Sequence, residues 1–133
     1  MADTKQTGDR AEAQILAALV KRGDKVLIPF GDNFRYDLLI DNQDGTFSRV
    51  QCKSGVYREG CVRFKAHSTH HHRNGSPKTY VGGADLFGVY CHDLGTCYLV
   101  PVDSVVTTIP YLRVDPRRGK GGAASKYASS FEI

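Results

Sequence analysis

The chain has 133 residues, of which 41% are hydrophobic and 24% charged, and its formal net charge is +4. These values are typical of one globular domain, and they exclude a disordered tail, a collagen-like fibre and a disulfide-dense miniprotein. The longest strongly apolar run, Ile15 to Val20, is too short to cross a bilayer, so we expect no membrane partner. Residues 1–10 show no secretory leader, and four cysteines are too few for a disulfide framework. We therefore expect a cytoplasmic protein with reduced thiols.

Charge is distributed unevenly along the chain. Residues 1–44 hold six Lys and Arg against eight Asp and Glu, whereas residues 45–133 hold twelve against six. Such a protein can bind a polyanion on its basic surface while a few carboxylates face the bound polyanion. The alternative is that a net charge of +4 only keeps the protein in solution. Charge alone does not decide between the two.

The first predicted element is a helix that follows a flexible tail over residues 1–8. Asp9 and Glu12 have the spacing of a capping box, and the apolar residues that follow recur every three or four positions. Gly23 is expected to end this helix, because glycine readily adopts the left-handed conformation found there.

Apolar and β-branched runs then predict a sheet, with the second and third strands joined by a hairpin at Asp44-Gly45. The predicted strands are Lys25–Phe30, Phe34–Asp41, Thr46–Lys53, Arg58–Ala66, Asp85–Cys91 and Thr96–Val100. The polar segment from His67 to Gly83 is expected to be a loop or a short helix, and residues 113–133 a loose basic extension. One helix followed by a strand meander and two more strands predicts a single α+β or mixed α/β domain over residues 1–133.

Strand geometry directs three polar side chains toward one point. Side chains alternate along a strand, so Gln51 and Lys53 share one face while the Cys52 side chain points the other way, into the core. Counting outward from the hairpin turn places Asp37 beside Gln51, with Lys53 about one step beyond. Asp37 heads an apolar run, where a carboxylate is costly unless it is paired, hydrogen-bonded or bound to a cation.

These groups supply what the hydrolysis of a phosphodiester requires. The reaction needs a hard cation on oxygen ligands, a water made nucleophilic, and positive charge near the transition state. The candidate cation ligands are Asp37, Glu12 from the helix, the Gln51 side-chain oxygen and the Cys52 backbone carbonyl. Lys53 would orient or deprotonate the attacking water and offset transition-state charge. An amide in place of a second strand carboxylate favours one cation over two.

Asp37, followed after thirteen residues by Gln51-Cys52-Lys53, resembles the PD-(D/E)XK nuclease motif with glutamine at its second acidic position. This substituted form, PD-(D/Q)XK, resembles the motif of the group I intron-encoded homing endonucleases. The similarity extends over roughly residues 8–131. Its further segments are the opening helix with Glu12, Tyr80, the Asp85–Tyr90 run, the Tyr98–Val102 stretch and the tail from Arg113 to Phe131.

The resemblance implies a restriction-endonuclease-like αβββαβ core with a central mixed sheet. It also implies a magnesium-dependent DNA endonuclease, with Mn²⁺ as a possible substitute, acting on double-stranded DNA and associated with the nucleoid when bound. One site per chain against two strands to cut predicts a homodimer or a homotetramer. Two alternatives remain: a structure-specific nuclease acting on Holliday junctions or flaps, and a non-catalytic basic nucleic-acid-binding module.

The candidate residues also have structural explanations. Asp37 and Lys53 could form a surface ion pair, and Glu12 could stabilise the first turn of the helix. The histidines from His67 to His72 match no zinc spacing, which favours a solvated loop over a metal site. Basic residues and a tyrosine in the second half of the chain form the predicted DNA face. They are Arg58, Arg63, Lys65, Arg73, Lys78, Tyr80, Arg117, Arg118 and Lys120.

Overall fold

One α-helix and nine strands make up the part of the chain that the computed structural model describes, which is residues 4–71, 77–115 and 127–133. For residues 68–71, 77 and 78 only the backbone is described. In chain order the elements are α1 (Thr4–Lys21), β1 (Lys25–Leu27), β2 (Leu38–Asp41), β3 (Phe47–Arg58), β4 (Cys61–Arg63), β5 (His67–His71), β6 (Pro77–Thr79), β7 (Leu86–Cys91), β8 (Thr96–Pro101) and β9 (Tyr111–Arg113), with 3₁₀ turns at Val102–Ser104 and Ala128–Ser130.

Strand β3 is the centre of a seven-stranded mixed sheet. It pairs antiparallel with β2 and β4 and parallel with β7, while β1, β8 and β9 extend the sheet outward; β5 and β6 form a separate hairpin. The predicted fold class and the mixed sheet are therefore confirmed. Where the αβββαβ order expects a second helix, between β3 and β7, the described residues hold β4, β5 and β6 instead.

Helix α1 packs on one face of the sheet through Ala11, Ile15 and Leu19, which recur every four residues and are buried. Gly88 on β7 permits the close approach, because a Cβ there would lie 2.8 Å from the Ile15 side chain. The core between helix and sheet also contains Leu38, Ile40, Val50 and Cys97. The helix ends before Gly23, whose φ of 100° is the left-handed conformation predicted for it.

The opposite face of the sheet carries a second, larger core centred on Phe87. The rings of Phe64 and Tyr80 pack edge-on against Phe87, with centroids 5.4 and 5.6 Å away. Gly55 lies inside β3 because Val62 and Val89 leave no room for a Cβ, which would come within 2.8–2.9 Å of them. The described part of the chain contains no helix with the length and hydropathy of a membrane span.

Several predicted boundaries are wrong. Helix α1 begins at Thr4, so residues 4–8 are not a tail, Asp9 is not a cap, and Glu12 lies in the third turn. The polar residues before Asp9 form solvent-facing turns, which apolar periodicity cannot reveal. Strand β3 continues to Arg58, since β7 and β4 supply partners along its second half.

The second half of the chain is also more ordered than predicted. The expected polar loop or helix over residues 67–83 contains the β5–β6 hairpin. The expected loose extension begins with Arg113 inside β9, and residues 127–133 return to the sheet, where Leu99 donates to Phe131 and Ile133 donates to Cys97. These backbone contacts cover the outer edge of β8, which would otherwise be an open sheet edge.

Candidate active site

Strand β3 has an unpaired stretch on one edge, between its pairings with β2 and β4. Strand β2 pairs with residues 47–50 and β4 with residues 56–58, while β7 follows the opposite edge along residues 50–55. The amide and carbonyl of Cys52 point into this gap, because Val50, two residues earlier, bonds the backbone on the β2 side. A buried backbone amide needs an acceptor, so a side chain must supply one here.

Asp37 supplies that acceptor. It lies one residue before β2, where the Leu38–Val50 register brings it beside Gln51 as predicted. Its backbone amide donates to Val50, and its Oδ2 accepts the Cys52 amide at 2.9 Å. Burial raises the pKa of the Asp37 carboxyl, while the Cys52 hydrogen bond and the nearby Lys53 ammonium oppose that rise.

Glu12 reaches the same place from helix α1. Partial burial raises the pKa of its carboxyl, and the negative charges of Asp37 and Asp9 raise it further. Two carboxyls with raised pKa values at one edge of a sheet repel one another when both are ionised, and a bound cation would relieve that repulsion. The earlier alternative, a glutamate that stabilises the first helical turn, is wrong because Glu12 is well inside the helix.

Lys53 is held at the gap by two contacts. Its Nζ donates to the Tyr80 hydroxyl at 3.1 Å and to the His67 carbonyl at 3.3 Å. Two cations lie close to the Tyr80 ring, with Lys53 Nζ 4.6 Å and the Arg35 guanidinium carbon 4.4 Å from its centroid. Arg35 also donates to the Thr79 carbonyl. The ammonium therefore has a fixed position near Asp37.

Gln51 and Cys52 contribute through different atoms. Cys52 faces the helix-side core, as predicted, and leaves only its backbone at the gap. Its carbonyl accepts the Gln51 Nε2 at 3.3 Å, so the amide side chain lies against the proposed backbone ligand. If this carbonyl bound a cation, it would give up its hydrogen bond from Gln51 and coordinate the ion instead.

A polar cleft of about 290 Å³ opens beside the two carboxyls. Glu12 and Asp37 form one side of it, and the β1–β2 connection, from Ile28 to Tyr36, forms the other. Asp32 also lines this cleft, and its place in an exposed loop gave no sequence signal. Among the described residues, no three or more His, Cys, Asp or Glu side chains are grouped as metal ligands.

The predicted DNA face is only partly described. Arg58 and Lys65 are exposed, and Arg63 forms an ion pair with Glu59 at 3.0 Å. Tyr80 is wrong as a DNA contact, because it is only 6% exposed and its hydroxyl is bonded to Lys53. The remaining predicted residues, Arg73, Arg117, Arg118, Lys120 and the Lys78 side chain, lie outside the described part of the chain.

Sequence reasoning missed the pairing of Arg35 with Tyr80. Forty-four residues separate Arg35 from Thr79, and nothing in the intervening pattern indicates that they meet. The single histidine of the cluster whose side chain is described, His67, bonds through its Nδ1 to the Thr108 carbonyl at 3.2 Å.

Comparisons with known proteins bear on the family and the fold of the chain. The model of a family described as PD-(D/E)XK endonuclease matches residues 2–133. A search of curated proteins returned no match. Among solved structures, the bacterial homing endonuclease I-Ssp6803I is similar, with a TM-score of 0.69 and 25% identity over 99% of this chain and 88% of that one. The chain belongs to the PD-(D/E)XK endonuclease family.

Proposed function

We propose that this protein is a magnesium-dependent endonuclease that hydrolyses phosphodiester bonds of double-stranded DNA. The observation that carries the proposal is the meeting of Asp37, Glu12 and Lys53 at the unpaired edge of β3. Two carboxyls that can bind a cation and one fixed ammonium are groups that cation-assisted hydrolysis uses. A structural ion pair alone would not explain why a second carboxyl is brought to the same place.

The donor set fits a hard cation. Asp37 and Glu12 offer carboxylate oxygens, and Gln51 and the Cys52 carbonyl offer neutral ones, whereas zinc sites prefer nitrogen and sulfur. When bound, Mg²⁺ would polarise the phosphate and lower the pKa of a coordinated water. Two carboxylates with one amide carry less charge than three carboxylates, which favours a single ion.

Lys53 acts on the opposite side of the reacting phosphate in this proposal. Its Nζ, held as an ammonium, would orient the attacking water by donating a hydrogen bond to it and would offset the charge that develops on the phosphorus oxygens. Tyr80 and the His67 carbonyl keep the ammonium from turning away into solvent. Asp37 retains its bond to the Cys52 amide throughout, so that one carboxylate oxygen stays free for the cation.

The decisive experiment compares plasmid nicking by four proteins, with Mg²⁺ and with chelator. We expect the unaltered protein to cleave only with Mg²⁺, and Asp37→Asn and Lys53→Ala to lose about a hundredfold or more of the rate. Asp41→Asn is the matched control, because Asp41 ends β2, the strand that Asp37 precedes, and its Oδ1 accepts the Gln43 amide. Absence of Mg²⁺-dependent cleavage by the unaltered protein would favour a binding module and overturn the proposal.

We further propose a homing-type role, supported by the similarity to the homing endonuclease I-Ssp6803I. A homing enzyme selects one long duplex site. Incubation with a random-sequence duplex library should therefore yield one extended consensus among the cleaved molecules. Cleavage of a four-way junction irrespective of sequence, with linear duplex spared, would instead indicate a junction or flap nuclease.

A further inference from the structure

A basic cleft lies between β4 and β9, away from the carboxyl pair. It has a volume of about 430 Å³ and is lined by Glu59, Cys61, Arg63, Ile109, Tyr111 and Arg113. In the register of the two strands, Tyr111 lies opposite Arg63, and Arg113 lies opposite Cys61. Because directly paired residues share a face, both guanidinium groups emerge on one side of the sheet.

This side of the sheet is the one that carries helix α1. Ser54, on the same face of β3, donates to the Thr7 carbonyl of the helix at 3.5 Å. Val56 comes two residues later and is paired with Arg63. Val56 and Tyr111 are about half exposed, at 47% and 50%, so the helix leaves the face around the two arginines open.

The two arginines have buried donors without acceptors. Within the described residues, the Nε atoms of both Arg63 and Arg113 are shielded from solvent and have no hydrogen-bond partner. Glu59 satisfies one terminal nitrogen of Arg63, and the Tyr111 ring lies 5.9 Å from its guanidinium carbon. These inner nitrogens are closed to a ligand as they are to water, but the Arg63 side chain as a whole is 40% exposed, so the outer part of its guanidinium can meet an acceptor that arrives with a ligand.

We propose that the Arg63–Arg113 cleft binds a backbone phosphate of the DNA substrate, at a subsite separate from the scissile phosphate. This inference rests on the proposed function. A phosphodiester offers two adjacent non-bridging oxygens that share one negative charge, and they match the planar fork of a guanidinium better than a single point acceptor does. Val56 lies four residues from Cys52 on the same face of β3, about 13 Å at the rise of a strand, well within one turn of duplex DNA.

The test measures DNA binding as a function of salt, by fluorescence anisotropy of a labelled duplex, with Asp37→Asn present in every protein to prevent cleavage. Arg63→Ala and Arg113→Ala should each weaken binding about five- to tenfold and reduce the slope of log affinity against log salt by about one. Arg22→Ala removes the same charge at the far end of α1, where Arg22 pairs with Asp24, and should match the parent protein.

Arg113→Lys separates the shape of the guanidinium from its charge. We expect this variant to fold, to keep the salt slope and to bind more weakly than the parent, because lysine lacks the planar fork. An unchanged slope in folded Arg63→Ala and Arg113→Ala proteins, or an equal change in Arg22→Ala, would overturn the inference. If the unaltered protein still cleaves DNA in that case, the proposed function stands and only the subsite is wrong.

Discussion

The Asp37 carboxylate has a structural role, but its negative charge is unfavourable at this buried position. It accepts the Cys52 amide in the unpaired stretch of β3. Burial nevertheless raises its pKa, and its charge contributes to the raised pKa of Glu12. A carboxyl whose folded pKa exceeds its unfolded value lowers stability as the pH rises through the unfolded pKa, and the loss is complete above the folded pKa. At neutral pH without a cation, both carboxyls therefore weaken the fold.

Asp37→Asn should raise the thermal stability of the metal-free protein at pH 7, because it removes a buried charge while an amide oxygen can still accept the Cys52 amide. We expect an increase in Tm of about 2–5 °C in chelator, the change that roughly 1 kcal/mol produces in a chain of this size. The difference should disappear near pH 3, where both carboxyls are protonated. Thermal melts at the two pH values measure it, and a lower Tm for Asp37→Asn at pH 7 would contradict it.

Tyr80→Phe tests whether the phenol positions Lys53. The variant keeps the ring that lies near Arg35 and Lys53 and removes only the hydroxyl that Lys53 contacts at 3.1 Å. We expect kcat to fall about tenfold with KM unchanged, since a mobile ammonium affects the chemical step more than DNA binding. Tyr98→Phe is the matched control, because Tyr98 is also buried and its hydroxyl accepts from Thr96, away from Lys53. Equal kcat values in the two variants would contradict a positioning role.

At the scale of elements, the distance between α1 and the sheet determines where Glu12 lies. Gly88 sets that distance, because an added Cβ would come within 2.8 Å of Ile15 and 3.1 Å of Val50. Gly8, on the same helix, faces open space. An added methyl group would therefore clash at Gly88 and meet no neighbour at Gly8.

Gly88→Ala should destabilise the protein by about 1–3 kcal/mol and lower cleavage, because the overpacked helix must move and carries Glu12 with it. Gly8→Ala should instead stabilise it by about 0.5–1 kcal/mol with cleavage unchanged, since alanine favours an exposed helix interior. Urea unfolding and plasmid nicking measure both effects. A Gly88→Ala protein with the stability of the parent would show that α1 can approach the sheet without this glycine.

The Arg49–Asp85 contact joins the beginnings of β3 and β7. Asp85 accepts Arg49 Nε and Nη2 at 3.0 Å and the Arg49 amide at 2.7 Å, and the side-chain hydrogen bond lowers the pKa of Asp85. Its stabilisation is present above the unfolded pKa, near 3.9, and is lost as the pH falls through the lower folded value.

Asp85→Asn should therefore cost about 1 kcal/mol or less at pH 7, since the side chain is 41% exposed and solvent screens the pair. The difference from the parent should close below pH 3. Urea titrations at both pH values measure it, with Asp24→Asn at the exposed Arg22 pair as control. A difference that persists unchanged in acid would assign the effect to packing instead.

Local pattern predicted the strands around the hairpin well, because alternation and an Asp-Gly turn together fix the register. It therefore placed Asp37 beside Gln51, and Lys53 close to both. Local pattern did not predict how far β3 extends, because tertiary contacts determine its end. The strand continues through Gly55, where two valines leave no room for a side chain. The role of Tyr80 could not be predicted either, because the sequence pattern does not show whether a single tyrosine is exposed or buried.

At the scale of the whole molecule, one chain holds one carboxyl pair, whereas a duplex has two strands of opposite direction. Cutting both strands needs two such sites, so we predict a homodimer or homotetramer on DNA. Sedimentation of Asp37→Asn with a fluorescent duplex should give a complex containing at least two chains. A complex of one chain per duplex, at protein concentrations that saturate binding, would contradict this prediction.

Residue 52 contributes to the proposed chemistry only through its peptide groups, while its thiol faces the core beneath α1. Alanine, serine or valine would preserve both peptide groups, and proline alone would delete the amide that Asp37 requires. Variation at this position among relatives would then report how closely their opening helix packs against the sheet. It would carry no information about the ion they employ or the DNA sequence they recognise.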